Sequence, residues 1–135
     1  MNRFSFEGLL GTQMSALKDS VDELPFEMAD DGIRVIVCQG AVNSLIKTDT
    51  GIHLTYKKEH MFFRVLTFLP TFIEQNKEKW EEKGDISTLC YMADMSRNAV
   101  YSISAAKRMI RLLAFCGYDS MMLYTEDTYE IPEYP

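Results

Sequence analysis

The sequence predicts an α/β protein in two parts. Residues 1–84 are expected to form an α+β unit with a mixed or antiparallel sheet and helices on one face, and residues 85–135 a strand-helix-strand unit. Three observations predict this. Short β-branched or apolar runs alternate with segments whose apolar residues recur at helical spacing. The apolar stripe is lost in the charged segment 74–83, just before Gly84. Beyond that boundary, two unbroken apolar runs flank one amphipathic segment.

The first part begins with a strand, a helix and a second strand. Residues 3–7 alternate apolar and polar side chains, which is typical of a strand. Residues 11–24 carry apolar side chains at helical spacing, and Pro25 ends the run. The β-branched run 33–38 predicts the second strand.

A hairpin and a long helical segment complete the first part. Residues 44–47 and 52–57 flank a turn-forming sequence at 48–51, which predicts an antiparallel hairpin. Helical spacing then extends over about 59–83. Pro70 lies inside this segment and should kink or split the helix, because it lacks an amide hydrogen and crowds the preceding turn.

The second part contains two apolar runs, 89–93 and 121–124, with no polar alternation, so both are predicted to be strands buried on both faces. The helix between them should be capped by Ser102 or Ser104 and end before Gly117. Its predicted inner stripe comprises Ala106, Met109, Ile110, Leu113 and Cys116, and its predicted polar side comprises Lys107, Arg108 and Arg111.

Polar clusters at 94–98 and 125–129 directly follow the two strands. A helical crossover joins parallel strands, so the carboxyl ends of both strands should meet at one edge. Ligands bind at that edge in barrels and in open α/β sheets. The sequence therefore predicts a ligand site there.

Four charged side chains are the candidate site residues. Asp94 and Arg97 either brace a loop or face a ligand, and the position at the carboxyl edge favours a ligand. Glu126 and Asp127 are adjacent, so their side chains should point apart and cannot act as one acid/base pair. The alternative for these two carboxylates is a solvated or loop-capping role.

Two motifs resemble a known family. Residues 91–100 (YMADMSRNAV), the helical spacer and residues 122–130 (MLYTEDTYE) are together similar to the opening of the catalytic (β/α)8 TIM barrel in glycoside hydrolase family 20. The closest likeness is to bacterial exo-β-N-acetylhexosaminidases without a signal peptide. Residues 1–84 resemble, in layout, the small α/β domain that precedes the barrel in that family.

The resemblance implies retaining hydrolysis of a terminal β-linked N-acetylglucosamine or N-acetylgalactosamine. In the family, the 2-acetamido oxygen of the substrate attacks the anomeric carbon, an aspartate orients that amide, and a neighbouring glutamate protonates the leaving oxygen. On this comparison, Arg97 would hydrogen-bond the hydroxyls at positions 3 and 4 of the sugar. Asp94 would orient Arg97.

A complete (β/α)8 barrel takes about 250 residues, whereas this chain has 135. The Asp-Glu pair of the family follows the fourth barrel strand, so the chain is expected to be an inactive amino-terminal fragment of a larger enzyme. The alternative is a complete, noncatalytic binding or assembly module. Strands detached from a barrel would expose apolar faces and open edges, so they should pack on the first part, exchange between chains or form a homodimer.

Composition and charge disfavour several classes of partner. A net charge of −6 disfavours binding to nucleic acid or to anionic membranes. Residues 1–7 contain no apolar signal segment, and no run is long enough to span a membrane, which predicts a cytoplasmic protein. Cys38, Cys90 and Cys116 are odd in number and lie in apolar runs, which predicts reduced thiols in the core.

No metal or cofactor is expected. His53 and His60 have no cysteine or carboxylate at metal-ligand spacing. No glycine-rich phosphate loop or nucleophile elbow is present. The sequence DTG at 49–51 matches the short signature of aspartic proteases, but one copy in a hairpin predicts a turn instead.

Overall fold

A computed structural model gives the structure of residues 1–83, 86–97, 100–126 and 132. The chain is a mixed α/β structure with a six-stranded sheet and a separate two-stranded sheet. The strands are β1 (Arg3–Glu7), β2 (Glu27–Met28), β3 (Ile33–Gln39), β4 (Ser44–Thr48), β5 (Gly51–Tyr56), β6 (Lys79–Glu81), β7 (Cys90–Asp94) and β8 (Ser120–Tyr124). The domain boundary predicted between residues 84 and 85 lies outside the described residues.

The helices are α1 (Gly11–Asp19), α2 (Met61–Thr67), α3 (Leu69–Glu74) and α4 (Ile103–Cys116), and one turn of 3₁₀ helix spans Val21–Glu23. The longest of them, α4, has 14 residues. None of the helices in the described part of the chain has both the length and the apolar character needed to cross a bilayer.

The six-stranded sheet is mixed. Its strand order is β2-β1-β3-β5-β4-β6. β1 is parallel to β2 and β3, and β3 is parallel to β5. β4 is antiparallel to β5, which confirms the predicted hairpin, and also to β6. The carboxyl ends of β1, β3 and β5 therefore lie at the same edge of the sheet.

One hydrophobic core lies against this sheet. Alternation along β5 places Ile52, Leu54 and Tyr56 inside, as expected for a strand with one buried face. The helices α2 and α3 contribute Phe62, Leu66, Leu69 and Phe72 to the same core. Further fully buried members are Phe4, Leu17, Phe26, Val35, Leu45 and Val65.

The prediction of a helix over 59–83 that breaks at Pro70 is correct about the break. It is wrong about residues 76–83, which are not helical. α2 ends at Thr67 and α3 begins at Leu69 with Pro70 in its first turn, so the helix is split where proline predicts. After α3, Asn76 adopts a left-handed φ of 46°. The charged tail then forms β6, in which Trp80 lies opposite Leu45 and stacks on Phe68 at 4.4 Å between ring centroids. Aromatic packing and hydrogen bonds at the sheet edge override the local helix preference of the Lys/Glu sequence.

The second part has the predicted strand-helix-strand order, with β7 and β8 paired in parallel. Ser102 caps α4 by accepting a hydrogen bond from the Ala105 amide at 3.2 Å, and Gly117 ends the helix with a φ of 84°. The prediction that both strands are covered on both faces is wrong. Met92, Met122 and Leu123 are all more than half exposed, and Ala93 is the buried residue of this pair. The two strands form a sheet of their own, and the other described elements leave these side chains exposed on its faces.

The face that α4 presents to the first part differs from the predicted stripe. Ile110 is exposed, whereas Phe115 is buried against Phe63 of α2 at 6.0 Å between ring centroids. Arg111, predicted to face solvent, donates to Glu23 at 3.0 and 3.2 Å. Phe115 and Arg111 are four residues apart and share one helix face, so this face docks the helix.

The cysteines are free thiols, as predicted, but the prediction that they are buried is wrong, since Cys38, Cys90 and Cys116 are exposed. Cys38 follows the buried Val37 along β3, so the strand period places it on the opposite face. Cys90 begins β7 and Cys116 ends α4, where neighbouring elements cover side chains less completely. Apolar runs in the sequence conceal these local differences in burial.

Candidate functional site

The parallel pairing of β7 and β8 brings the described parts of the two polar clusters, residues 94–97 and 125–126, to one edge. Asp94 and Tyr124 are partners at the carboxyl ends of the two strands. The Met95 amide donates to the Tyr124 carbonyl at 2.8 Å and extends this alignment by one residue. Side chains that follow the two strands therefore meet, as predicted.

Three of the four predicted site residues lie together. Arg97 Nε is 3.5 Å from Asp94 Oδ2, and Arg97 Nη2 is 3.8 Å from Glu126 Oε1. Asp127 lies outside the described residues. The Arg97 side chain is 72% exposed, so its guanidinium is open to a ligand from solvent.

Asp94 is held by the loop that follows β7. Its Oδ1 accepts hydrogen bonds from the Ser96 amide at 2.9 Å and the Ser96 hydroxyl at 2.7 Å. These hydrogen bonds, with a smaller contribution from the charge of Arg97, lower the pKa of the Asp94 carboxyl. Oδ1 thus organises the loop, while Oδ2 faces Arg97 as a carboxylate.

Tyr124 is a site residue that the sequence analysis missed. Its hydroxyl donates to Glu126 Oε1 at 2.5 Å. The adjacent carboxylate raises the pKa of Tyr124, because it stabilises the protonated phenol. Tyr124 thereby positions the same carboxylate oxygen that faces Arg97. The sequence signal for this role is that Tyr124 is the last residue of the apolar run and lies two positions before Glu126.

This cluster brings hydrogen-bond donors and acceptors together at an exposed edge. Arg97 supplies donors in a fixed planar arrangement, and the carboxylates of Asp94 and Glu126 supply acceptors. Such a set suits a neutral ligand with neighbouring hydroxyl groups. Within the described residues, no group of three or more His, Cys, Asp or Glu side chains is placed to hold a metal ion.

A separate cavity of about 380 Å³ lies where the first sheet meets the start of β7 and the end of α4. No pattern in the sequence predicts this cavity. The residues that line it extend from Ala41 to Asp119, so no local motif could reveal it.

Known proteins provide no further assignment: no family model matches the chain, and a search of curated proteins found no match.

Proposed function

We propose that the chain is the amino-terminal part of a glycoside hydrolase that removes terminal β-linked N-acetylhexosamine by a substrate-assisted, retaining mechanism. Residues 1–84 would be the small domain in front of the barrel, and residues 85–135 the start of the (β/α)8 barrel. The observation that carries the proposal is the meeting of Asp94, Arg97 and Glu126 at the carboxyl edge of the parallel β7 and β8. Barrel enzymes bind their substrates at this end of the strands.

Arg97 is the proposed sugar ligand. A guanidinium can donate to two adjacent hydroxyl oxygens in one plane, as positions 3 and 4 of a hexosamine require. Asp94 Oδ2 and Glu126 Oε1 lie at 3.5 and 3.8 Å from its nitrogens, which restrains its orientation and leaves donors for a ligand. A neutral sugar is not repelled by the acidic chain.

The exposed apolar side chains of β7 and β8 support the same proposal. Met92, Met122 and Leu123 are of the type that further strands and helices cover in a barrel. In the proposed mechanism, the aspartate that orients the acetamido group and the glutamate that protonates the leaving oxygen come from a later strand. Residues 1–135 then contribute sugar binding and no acid.

The test is hydrolysis of 4-nitrophenyl N-acetyl-β-D-glucosaminide by the 135-residue chain and by the product of any longer reading frame that contains it. We expect turnover by the longer protein and none by the chain alone. Turnover by the chain alone would refute the placement of the acid outside it. A longer product without hexosaminidase activity would refute the assigned function.

A noncatalytic binding or assembly module is the second candidate, favoured by the same exposed apolar side chains of β7 and β8. The length of the open reading frame distinguishes the hydrolase from the noncatalytic module. Codons that continue past Pro135 into further strand-helix units support the hydrolase, and a stop codon there supports the module.

A further inference from the structure

We propose that two copies of this chain associate through the edge strand β6, which pairs antiparallel with its own copy about a two-fold axis at Trp80. In the described part of the larger sheet, β6 is the last strand, and it pairs with β4 on one side. The backbone groups of such an edge can pair with a further strand. A second copy is the partner, because this edge is complementary to itself in charge and in shape.

The backbone of β6 determines which residues can pair with a second copy. Glu78 and Glu82 form backbone hydrogen bonds with the antiparallel β4, at 2.9 and 3.0 Å. Backbone groups alternate in direction along an antiparallel ladder, so those of Trp80 also point to β4. Those of Lys79 and Glu81 point away from β4. These two residues therefore offer two amide donors and two carbonyl acceptors to an incoming strand.

The charges of β6 favour one register of pairing. When two antiparallel copies place Trp80 opposite Trp80, each Lys79 lies opposite the second copy's Glu81. A shift of two residues would place lysine opposite lysine or glutamate opposite glutamate, and a parallel arrangement would do both. Like charges directly opposite each other are destabilising. A short, charged edge strand ordinarily prevents pairing, and here its charges oppose every register that keeps the faces matched except this one.

The ion pairs within the chain are compatible with this arrangement. Lys79 Nζ lies 2.7 Å from Glu81 Oε2, and these side chains are 60% and 32% exposed. An exposed ion pair contributes little, so the four charges can form one alternating group across the two copies. The neighbouring Glu78 and Glu82 are each paired with a cation of their own chain, at 3.2 and 2.6 Å. Their own cations thus compensate the approach of these carboxylates in the dimer.

A small apolar pocket lies beside Trp80, on the face of β6 opposite to Lys79 and Glu81. Its volume is about 160 Å³, and its lining comprises Phe68, Thr71, Phe72, Gln75, Lys77 and Trp80. An apolar cavity of about 150 Å³ can hold benzene, so this pocket has room for part of an indole ring. Side chains of directly paired residues lie on the same face of a sheet. The second copy's Trp80 would therefore enter this pocket, and the two-fold axis repeats the contact.

The interface is small, since three residues of each copy pair. We expect a weak, reversible dimer with a dissociation constant on the order of 100 µM. It is separate from the exposed apolar side chains of β7 and β8, which belong to the other sheet. It also does not depend on the proposed hydrolase activity.

The test is a concentration series of the ¹⁵N-labelled 135-residue chain, from about tenfold below to about tenfold above that dissociation constant, followed by amide chemical shifts. We expect saturable shifts at Lys79 and Glu81 and at the indole N–H of Trp80. Association through β7 and β8 alone would instead shift Met92 and Leu123. The shifted residues therefore identify the interface.

Charge-reversal variants distinguish pairing between copies from the ion pair within β6. Lys79→Glu and Glu81→Lys each place like charges opposite each other in both cross-strand pairs, and each should weaken association at β6 about tenfold. An equimolar mixture of the two variants restores opposite charges between copies but not within either chain. The mixture should therefore associate about as tightly as the wild-type chain.

Lys18→Glu and Asp22→Lys are the matched controls, because they lie at exposed positions outside β6 and change the net charge of −6 by the same two units. Alone or mixed, at about 0.15 M salt, they should leave the concentration dependence at β6 unchanged. Absence of concentration-dependent shifts at residues 79–81, shifts confined to β7 and β8, or a mixture of the β6 variants that associates no better than either alone would overturn the proposal.

Discussion

Arg97 lies between two carboxylates but is expected to contribute little to the stability of the fold. Its guanidinium faces Asp94 and Glu126 at 3.5 and 3.8 Å, and the side chain is 72% exposed. Ion pairs in water contribute about 0–1 kcal/mol, because solvent screens the charges and the long side chain loses conformational entropy. A role in ligand binding is therefore separable from a role in stability at this residue.

Replacing Arg97→Ala should change the free energy of unfolding by less than about 0.5 kcal/mol. In a longer, active enzyme the same change should lower kcat/KM for a chromogenic N-acetylglucosaminide about 100-fold, because two sugar hydroxyls lose a charged partner. Arg108→Ala, at an exposed position on α4, is the control and should leave both quantities unchanged. An unaltered kcat/KM for Arg97→Ala would remove Arg97 from the site.

Asp94 and Asp119 form a matched pair of carboxylates, each held by a serine and each with a pKa below its ordinary value. Because the folded-state pKa is depressed, the stabilisation is present above the unfolded pKa and is lost as the pH falls through the folded pKa. Ser96→Ala should raise the pKa of Asp94 and leave that of Asp119 unchanged. Ser120→Ala should do the reverse. Carboxyl ¹³C titration of both variants measures this, and a common shift of both aspartates would contradict the local cause.

For individual residues, the sequence predicts the positions of side chains that come at the carboxyl end of a strand. Asp94, Arg97 and Glu126 follow apolar runs, and the crossover rule then places them at one edge. The cavity is different, since Asn43, Arg64, Glu82 and Asp119 meet only through tertiary packing. No spacing in the sequence indicates that meeting.

Among the elements, β6 is the one whose structure differs from the helix that its local sequence favours. The charged residues of 74–83 favour a helix, yet Asn76 leaves the helical conformation and Lys79, Trp80 and Glu81 form an edge strand. These three residues alternate polar, apolar and polar, which is a strand pattern too short to outweigh ten residues of helix-favouring composition. The stacking of the partly buried Trp80 on Phe68 favours the strand. In contrast, α4 carries an N-terminal cap and a C-terminal glycine, so the sequence predicts both of its ends.

Gly117 is required at the end of α4 for two reasons. Its φ of 84° is unfavourable for other residues, and an added Cβ would lie 2.5 Å from Arg64 Cδ. Gly117→Ala should therefore lower the free energy of unfolding by about 1–2 kcal/mol in urea denaturation. Gly11→Ala is the control, because a Cβ there meets nothing within 4 Å, and its effect should be neutral or slightly stabilising. Equal effects of the two substitutions would show that α4 does not dock as described.

For the whole molecule, the contact between Arg111 and Glu23 joins α4 to the first part across 88 positions of sequence. The Glu23 side chain is only 10% exposed, so removing Arg111 leaves a largely buried carboxylate without its partner. A double-mutant cycle of Arg111→Ala and Glu23→Ala, read by urea denaturation, should give a coupling energy of about 2 kcal/mol.

The exposed pair Arg3 and Asp31 is the control for that cycle, since these side chains are 49% and 70% exposed. Its coupling energy should be below about 1 kcal/mol. A coupling energy for Arg111 and Glu23 as small as that of the control pair would contradict a docked α4.

The apolar side chains of β7 and β8 should cause the isolated chain to self-associate. Sedimentation equilibrium should show a mass that rises with protein concentration, and Leu123→Lys should shift the chain toward monomer. Val21→Lys is the control, because Val21 and Leu123 are both 55% exposed but Val21 lies on the 3₁₀ turn. A wild-type chain that remains monomeric at all concentrations would contradict this expectation.

Trp80 is the single tryptophan of the chain, and it lies in β6 at the edge of the larger sheet. Its indole ring stacks on Phe68 and is two positions from Glu82 in the wall of the cavity. Tryptophan fluorescence therefore comes from one known place and reports on the local environment of that strand. Comparison of its emission with far-ultraviolet circular dichroism during denaturation would show directly whether the sheet opens from β6 or melts all at once.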